Sequence, residues 1–337
     1  MQSPTQRGGT SGATNCTLSA FSIIDEELAQ VRTLIEQELS DCSEPVRGLV
    51  GHIRVGKGKM IRPGLALLSG LSCGGITKKH IRAAAIVEMI HEATLLHDDV
   101  VDEGESRRGL PTLNSLRGNE SAVLLGDFLL SRVFRLCRGL DGHSAEMIAS
   151  AVVQTCEGEL RQIAQRGNWE LSESEYIGII AEKTAALFSA ACAVGAILAG
   201  ADEKQVKMLA DYGHNTGIAF QITDDLLDLV GDKKKTGKTV GSDLDKDKLT
   251  LPVIHLLSTA GRKMGKSLFG KPGDEPINRH RRADLLARLR NNGCLAYAQK
   301  RAEEFAQRAI AAIEGLRRSE GRTTLIETAR FAARRTV

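Results

Sequence analysis

Aromatic side chains are scarce in this sequence, 4% of 337 residues with a single Trp. An aromatic-rich β-sandwich is therefore disfavoured, and the recurrence of Ala, Leu and Ile points to packed helices. A dominant sign of charge is missing too. Lys and Arg total 45 against 42 Asp and Glu, a net charge of +3, too small to imply nucleic acid or an anionic membrane as partner. The seven cysteines are odd in number and contain no Cys-x-x-Cys pair, which argues against a disulfide frame or zinc site and suits a reduced, cytoplasmic protein. Residues 1–20 are Ser/Thr/Gly-rich without an apolar core. They read as a disordered tail rather than a secretory signal. The longest uncharged run, Thr184 to Ala201, reaches eighteen residues. Its Ala, Gly, Ser and Cys content suits a buried helix, so no integral membrane segment is expected. Hydrophobic content of 42% with 26% charged residues excludes a disordered chain.

What is present is helical periodicity. Ile24, Leu28, Val31, Ile35 and Leu39 recur at spacings of three and four, one stripe of an amphipathic helix. Similar stripes predict about ten helices, near 22–40, 63–72, 78–102, 119–138, 144–165, 173–199, 203–230, 250–260, 278–290 and 294–316, with a last one after 322. Pro63 marks a helix start, and Ser172 with Glu175 forms a capping-box signature. No segment shows period-two alternation between hairpin turns, and no composition shift marks a boundary. The expectation is an all-α bundle forming one domain over 21–337.

The chemistry lies in an acidic motif that occurs twice. Asp98-Asp99-Val100-Val101-Asp102 and Asp224-Asp225-Leu226-Leu227-Asp228 both read Asp-Asp-x-x-Asp at the C-terminal end of a predicted helix. Spacing i,i+4 puts first and last carboxylates on one face, about 6 Å apart. At an effective dielectric of about 20 their repulsion costs roughly 3 kcal/mol per pair, and the negative end of the helix dipole adds to it. Something positive must compensate. Oxygen-only ligands suit a hard cation, and Mg²⁺ held by one or two carboxylates plus phosphate oxygens matches the pattern. A lone motif reads as a solvated helix end, but two copies embedded in apolar helix do not.

Basic residues flank both motifs. Arg107 and Arg108 follow the first, Lys59 and Arg62 precede a helix N-terminus, and Lys233, Lys234, Lys235 and Lys238 follow the second. Carboxylates that gather a cation, beside Arg and Lys that bind oxyanions, describe a polyphosphate substrate. Two P-loop look-alikes fail: Gly58 stands where Gly51-x-x-x-x-Gly56-Lys57 needs Ser or Thr, and the stretch Gly231 to Gly237 is one residue too long. Glu88-x-x-His91 and Asp211-x-x-His214 resemble the pairs of di-iron bundles, which leaves that class open.

Together these residues resemble the trans-isoprenyl diphosphate synthase family over roughly 24 to 335. Lys57-Gly58-Lys59-Met60-Ile61-Arg62-Pro63 is similar to the family's Gly-Gly-Lys-Arg-x-Arg-Pro, with Lys57 and Met60 departing from it. His91 to Gly109, the pair Lys183-Thr184, Gly217 to Gln221 and Lys248 to Pro252 resemble its other signatures. The resemblance implies a helical bundle around a central cavity, usually a homodimer. It assigns Asp98, Asp102, Asp224 and Asp228 to Mg²⁺, supported by Asp99 and Asp225. Arg107, Lys183, Thr184, Gln221 and Lys238 would hold an allylic diphosphate, and Lys59, Arg62, His91 and Arg108 isopentenyl diphosphate. Asp98, Asp102, Asp224 and Lys183 form the implied catalytic set. Thr94 and Ala93, the fourth and fifth residues before Asp98, are small where short-chain members carry a bulky aromatic. That points to a long product, roughly C30 to C50, with Phe128, Phe134 and Leu136 as candidate tunnel floors. The other readings are a C15/C20 synthase, a terpene cyclase of the same fold, a non-catalytic subunit and the di-iron protein.

Overall fold

The computed structural model describes residues 21–51, 58–107, 109–230, 242–260 and 279–334. A 3-10 turn, Phe21–Ile24, leads into α1 (Asp25–Ser40), α2 (Glu44–Val50), α3 (Ile61–Cys73) and α4 (Lys78–Val101). A two-residue antiparallel ribbon, β1 (Ser106–Arg107) with β2 (Leu110–Pro111), and α5 (Leu113–Arg117) precede α6 (Asn119–Cys137) and α7 (Gly142–Ala164). Next come α8 (Glu173–Ile180), a π turn (Ala181–Ala185), α9 (Ala186–Leu198) and α10 (Glu203–Val230). The described chain ends with α11 (Ser242–Asp245), α12 (Leu251–Ala260), α13 (Arg279–Asn291), α14 (Cys294–Ala312) and α15 (Glu320–Arg334). The architecture is one all-α bundle, as the periodicity implies.

Local chemistry explains the helix starts. Asp25, Glu26 and Glu27 occupy the first turn of α1, where carboxylates meet the positive end of the dipole, and Leu28, Val31, Ile35 and Leu39 face inward. The Ser172 hydroxyl and the Glu175 side chain close a capping box on α8. A second box, unforeseen, opens α4: Thr77 Oγ1 accepts the Lys79 N–H at 3.3 Å and His80 Nδ1 accepts the Thr77 N–H at 3.0 Å. Helix α3 begins at Ile61, two residues before Pro63. Proline is tolerated there because first-turn N–H groups have no intrahelical acceptor.

Helix α4 buries Ile81, Ala83 to Val87, Met89, Ile90 and Ala93 and runs through the interior. Stretch Glu173–Leu198 is apolar and long enough to cross a membrane, yet most of its apolar window is buried against other helices. Gly195 explains how close the packing is: a Cβ there would lie 2.1 Å from the Ala66 carbonyl oxygen. Among the described residues the two larger apolar clusters are these. One joins α1, α3, α4 and α9, the other α8, α10, α12 and α14.

Phe134 is 73% exposed and cannot close a tunnel within its own chain. Its helix instead turns Leu129, Val133 and Leu136 inward. The helix predicted over 173–199 is interrupted by the π turn, and the ribbon at 106–111 was too short for two-residue strands to carry a periodic signal.

Candidate active site

The first acidic motif closes α4 and the second lies near the end of α10. Each carboxylate of the first motif already has a cation beside it. Lys183 Nζ stands 4.0 Å from Asp98 Oδ2 while donating to Gln162 Oε1 at 2.9 Å and pairing closely with Glu159. Arg107 meets Asp99 Oδ1 with both Nε, at 2.9 Å, and an Nη nitrogen, at 2.8 Å. Asp102 receives two: Arg166 on Oδ1 at 2.8 Å and Lys246 on Oδ2 at 3.1 Å. The compensation that the sequence demands is thus partly supplied by the protein. Burial still raises the Asp98 pKa, with Glu159 and Asp102 adding to the rise and Lys183 and Arg107 opposing it.

The second motif is wired into the interior. Tyr176 donates to Asp225 Oδ2 at 2.7 Å and Gln221 Nε2 to Asp225 Oδ1 at 2.8 Å. Burial pushes Asp225 up to about 6, helped by Asp243 and opposed by Lys248 and both donors. Gln221 Oε1 in turn accepts from Thr184 Oγ1 at 2.8 Å, so the π turn and α10 are tied together. Asp228 Oδ2 accepts the Asp243 N–H at 3.2 Å. Lys248 bonds Asp243 Oδ1 at 3.2 Å. Burial opposes the charge of Lys248, but Asp243, Asp225 and Asp102 outweigh it and raise its pKa. Asp224 and Asp228 are half-buried.

The π turn presents Lys183 and Thr184. It needs room beside α7, where a Cβ on Gly158 would lie 2.4 Å from the Lys183 backbone nitrogen. Such turns often mark working sites because they re-aim one side chain within a helix.

Of the other implied residues, Lys59 lies over the Phe331 ring at 5.1 Å and Arg62 over the Phe188 ring at 4.6 Å. His91 is half-buried on α4, two turns before Asp98. Lys57, Arg108, Lys233, Lys234, Lys235 and Lys238 lie outside the described residues. Sequence reasoning missed Glu159, Gln162, Arg166, Tyr176, Asp243 and Lys246, which carry no motif spacing of their own. Lys248 was visible only inside a resembling stretch.

The donor set is carboxylate oxygen, which fits a hard cation. Among the described residues no three His, Cys, Asp or Glu side chains form a ready cage. A bound ion here would therefore take part of its shell from water and phosphate oxygen. The di-iron reading fails: Asp211 pairs with Lys207 at 3.0 Å at the surface and His214 is exposed, whereas Glu88 is buried.

Residues 44–280 match the family described as polyprenyl synthetase. The chain belongs to the polyprenyl synthetase family. It is 37% identical to the octaprenyl diphosphate synthase of Escherichia coli strain K12 over 92% of this chain and 96% of that one. Its fold is similar to a decaprenyl diphosphate synthase from Rhodobacter capsulatus, with TM-score 0.87, 36% identity and coverage of 94% and 98%. It is likewise similar to a polyprenyl synthase from Caulobacter crescentus solved with calcium and isoprenyl diphosphate, with TM-score 0.89, 32% identity and coverage of 97% and 99%. As a polyprenyl synthetase, this chain is a prenyl diphosphate synthase that transfers prenyl groups between isoprenyl diphosphates.

Proposed function

We propose that the enzyme is a Mg²⁺-dependent, long-chain trans-polyprenyl diphosphate synthase that extends an allylic diphosphate with isopentenyl diphosphate to roughly C30 to C50. The observation that carries the reading is that the segment beyond the second motif reaches the first: Lys246 meets Asp102 at 3.1 Å, and the charge of Lys248 is felt by both Asp102 and Asp225. Asp98, Asp102, Asp224 and Asp228 would hold Mg²⁺, with Asp99 and Asp225 positioned behind them by Arg107 and Tyr176. When bound, the ion offsets charge developing on a departing diphosphate.

The protein's own groups do the rest. Lys183, Arg107, Gln221, Thr184 and Lys238 bind and orient the allylic diphosphate, Lys183 being anchored by Glu159 and Gln162. Lys59, Arg62, His91 and Arg108 bind isopentenyl diphosphate. The allylic C–O bond breaks with its electron pair passing to diphosphate, the isopentenyl double bond forms the new C–C bond, and a proton is lost. Apolar walls keep water from the cation. Ala93, fully buried on α4, is small at the position where a large ring would stop the growing chain, and the names of the octaprenyl and decaprenyl relatives support the same length.

The reading includes a cytoplasmic homodimer. Leu124 and Phe134 of α6 and Val153 and Leu160 of α7 are each more than half exposed, large apolar side chains that a second copy would cover. Product chromatography after incubation with isopentenyl diphosphate, Mg²⁺ and allylic primers tests the activity, and sedimentation tests the dimer. Products no longer than C20 overturn the chain length; no product with any primer overturns the reading.

A further inference from the structure

Asp102 differs from its motif neighbours in having both carboxylate oxygens engaged by cations from separate elements. Arg166, just beyond α7, takes Oδ1 at 2.8 Å, and Lys246, just beyond α11, takes Oδ2 at 3.1 Å. The three side chains are each about one-third exposed, between 28% and 32%. They lie neither sealed in the core nor fully solvated. At Asp98, by contrast, Lys183 stands 4.0 Å off and is spent on Glu159 and Gln162.

We propose that Arg166 and Lys246 are exchangeable counter-ions of Asp102, holding it in the metal-free enzyme and competing with the divalent cation for its carboxylate. The inference rests on the metal-centre reading above. Ion pairs that reach solvent contribute little to stability, so these partly exposed contacts open at small cost. An incoming dication gains Asp102 by releasing Lys246, Arg166 or both, and a nearby ammonium or guanidinium also repels it. Because Lys246 follows the second motif in the chain, its release loosens a tie between the two motifs at the moment metal enters. The affinity for metal is therefore set below what the carboxylates alone would give, which leaves the ion dependent on diphosphate oxygens to complete its binding.

Mn²⁺ titration of the substrate-free, full-length protein, followed by electron paramagnetic resonance of the free ion, tests this without any turnover. Lys246→Ala and Arg166→Gln are each expected to bind Mn²⁺ roughly tenfold more tightly than the wild type, the scale for removing one unit charge close to a dication. Lys246→Arg, which keeps the charge, is expected to retain wild-type affinity. Circular dichroism reports whether each variant is folded, and the two neutral variants test the idea independently. Unchanged or weaker Mn²⁺ binding in both neutral variants overturns the proposal while leaving the metal centre intact. Equal tightening in Lys246→Ala and Lys246→Arg overturns it as well, because charge would not be the cause. Absence of Mn²⁺ binding in every protein, even with inorganic pyrophosphate added, overturns the metal-centre reading together with it.

Discussion

Tyr176 donates its hydroxyl to Asp225 Oδ2 at 2.7 Å, with both residues only 2% exposed. This bond runs from α8 to the second acidic motif and, after the charge of Lys248 and beside the Gln221 donor, helps hold a carboxylate inside the fold. Removing the donor leaves Asp225 to Gln221 alone on the side chains of these elements. Tyr176→Phe should therefore destabilise the fold by about 1.5 to 3 kcal/mol, the worth of a hydrogen bond to a charged group. Urea unfolding checks it, and an unchanged midpoint and slope would remove Tyr176 from the network.

Asp98→Asn and Asp224→Asn should each lower turnover with Mg²⁺ at least about 100-fold, because each removes charge from the site where diphosphate departs. The fold should survive both. Burial already disfavours the charged form of Asp98, so the neutral amide relieves rather than adds strain there. Steady-state rates and thermal melts on the same preparations separate the two effects.

The twin Asp-Asp-x-x-Asp spacing, the α1 stripe and the Ser172/Glu175 box were legible because each is a short-range pattern that one helix imposes. What surrounds the motifs was not. Arg166 and Lys246 reach Asp102 from separate elements, and no periodicity encodes a contact between segments that distant. Phe134 shows the same limit from the other side: its helical stripe is plain, but which stripe is covered depends on tertiary packing. Coulomb repulsion among Asp98, Asp99 and Asp102 calls for positive charge nearby, which the sequence alone makes plain. That the protein itself supplies several of those charges required the fold.

His80 sits fully buried between Thr77 and the Gly195 carbonyl, with Nε2 3.0 Å from that oxygen. Burial lowers its pKa below the ordinary 6.5, partly opposed by the Gly195 bond. The unfolded chain thus binds this proton more tightly than the folded one. Stability from His80 is full above about pH 6.5 and is lost as the pH falls through the window down to its folded value. Denaturant midpoints between pH 7.5 and 5 should fall in the wild type, and His80→Gln should lose this share of the slope. Equal slopes in the two proteins would count against a neutral buried imidazole.

Product length rests on where the hydrocarbon goes from the carboxylate ends, and α4 is the wall that leads inward from Asp98. Ala93 and Ile90 lie on it, both 0% exposed to solvent. With Phe134 facing outward, Leu136, which α6 buries, and Phe128, which packs against the core, stay as candidates for the floor, and Leu129 and Val133 on the same buried face join them. A ring added at Ala93 distinguishes a tunnel from a packed core. In a tunnel it fills space, so Ala93→Tyr should shorten the product to about C15 or C20 and keep the first condensation, with little change in melting temperature. In a packed core the same ring has nowhere to go, and overpacking would cost about 1 to 3 kcal/mol. Chromatography of products beside a thermal melt reads both. A variant that melts lower and makes a product of unchanged length would place Ala93 in ordinary core and remove it from the chain-length wall.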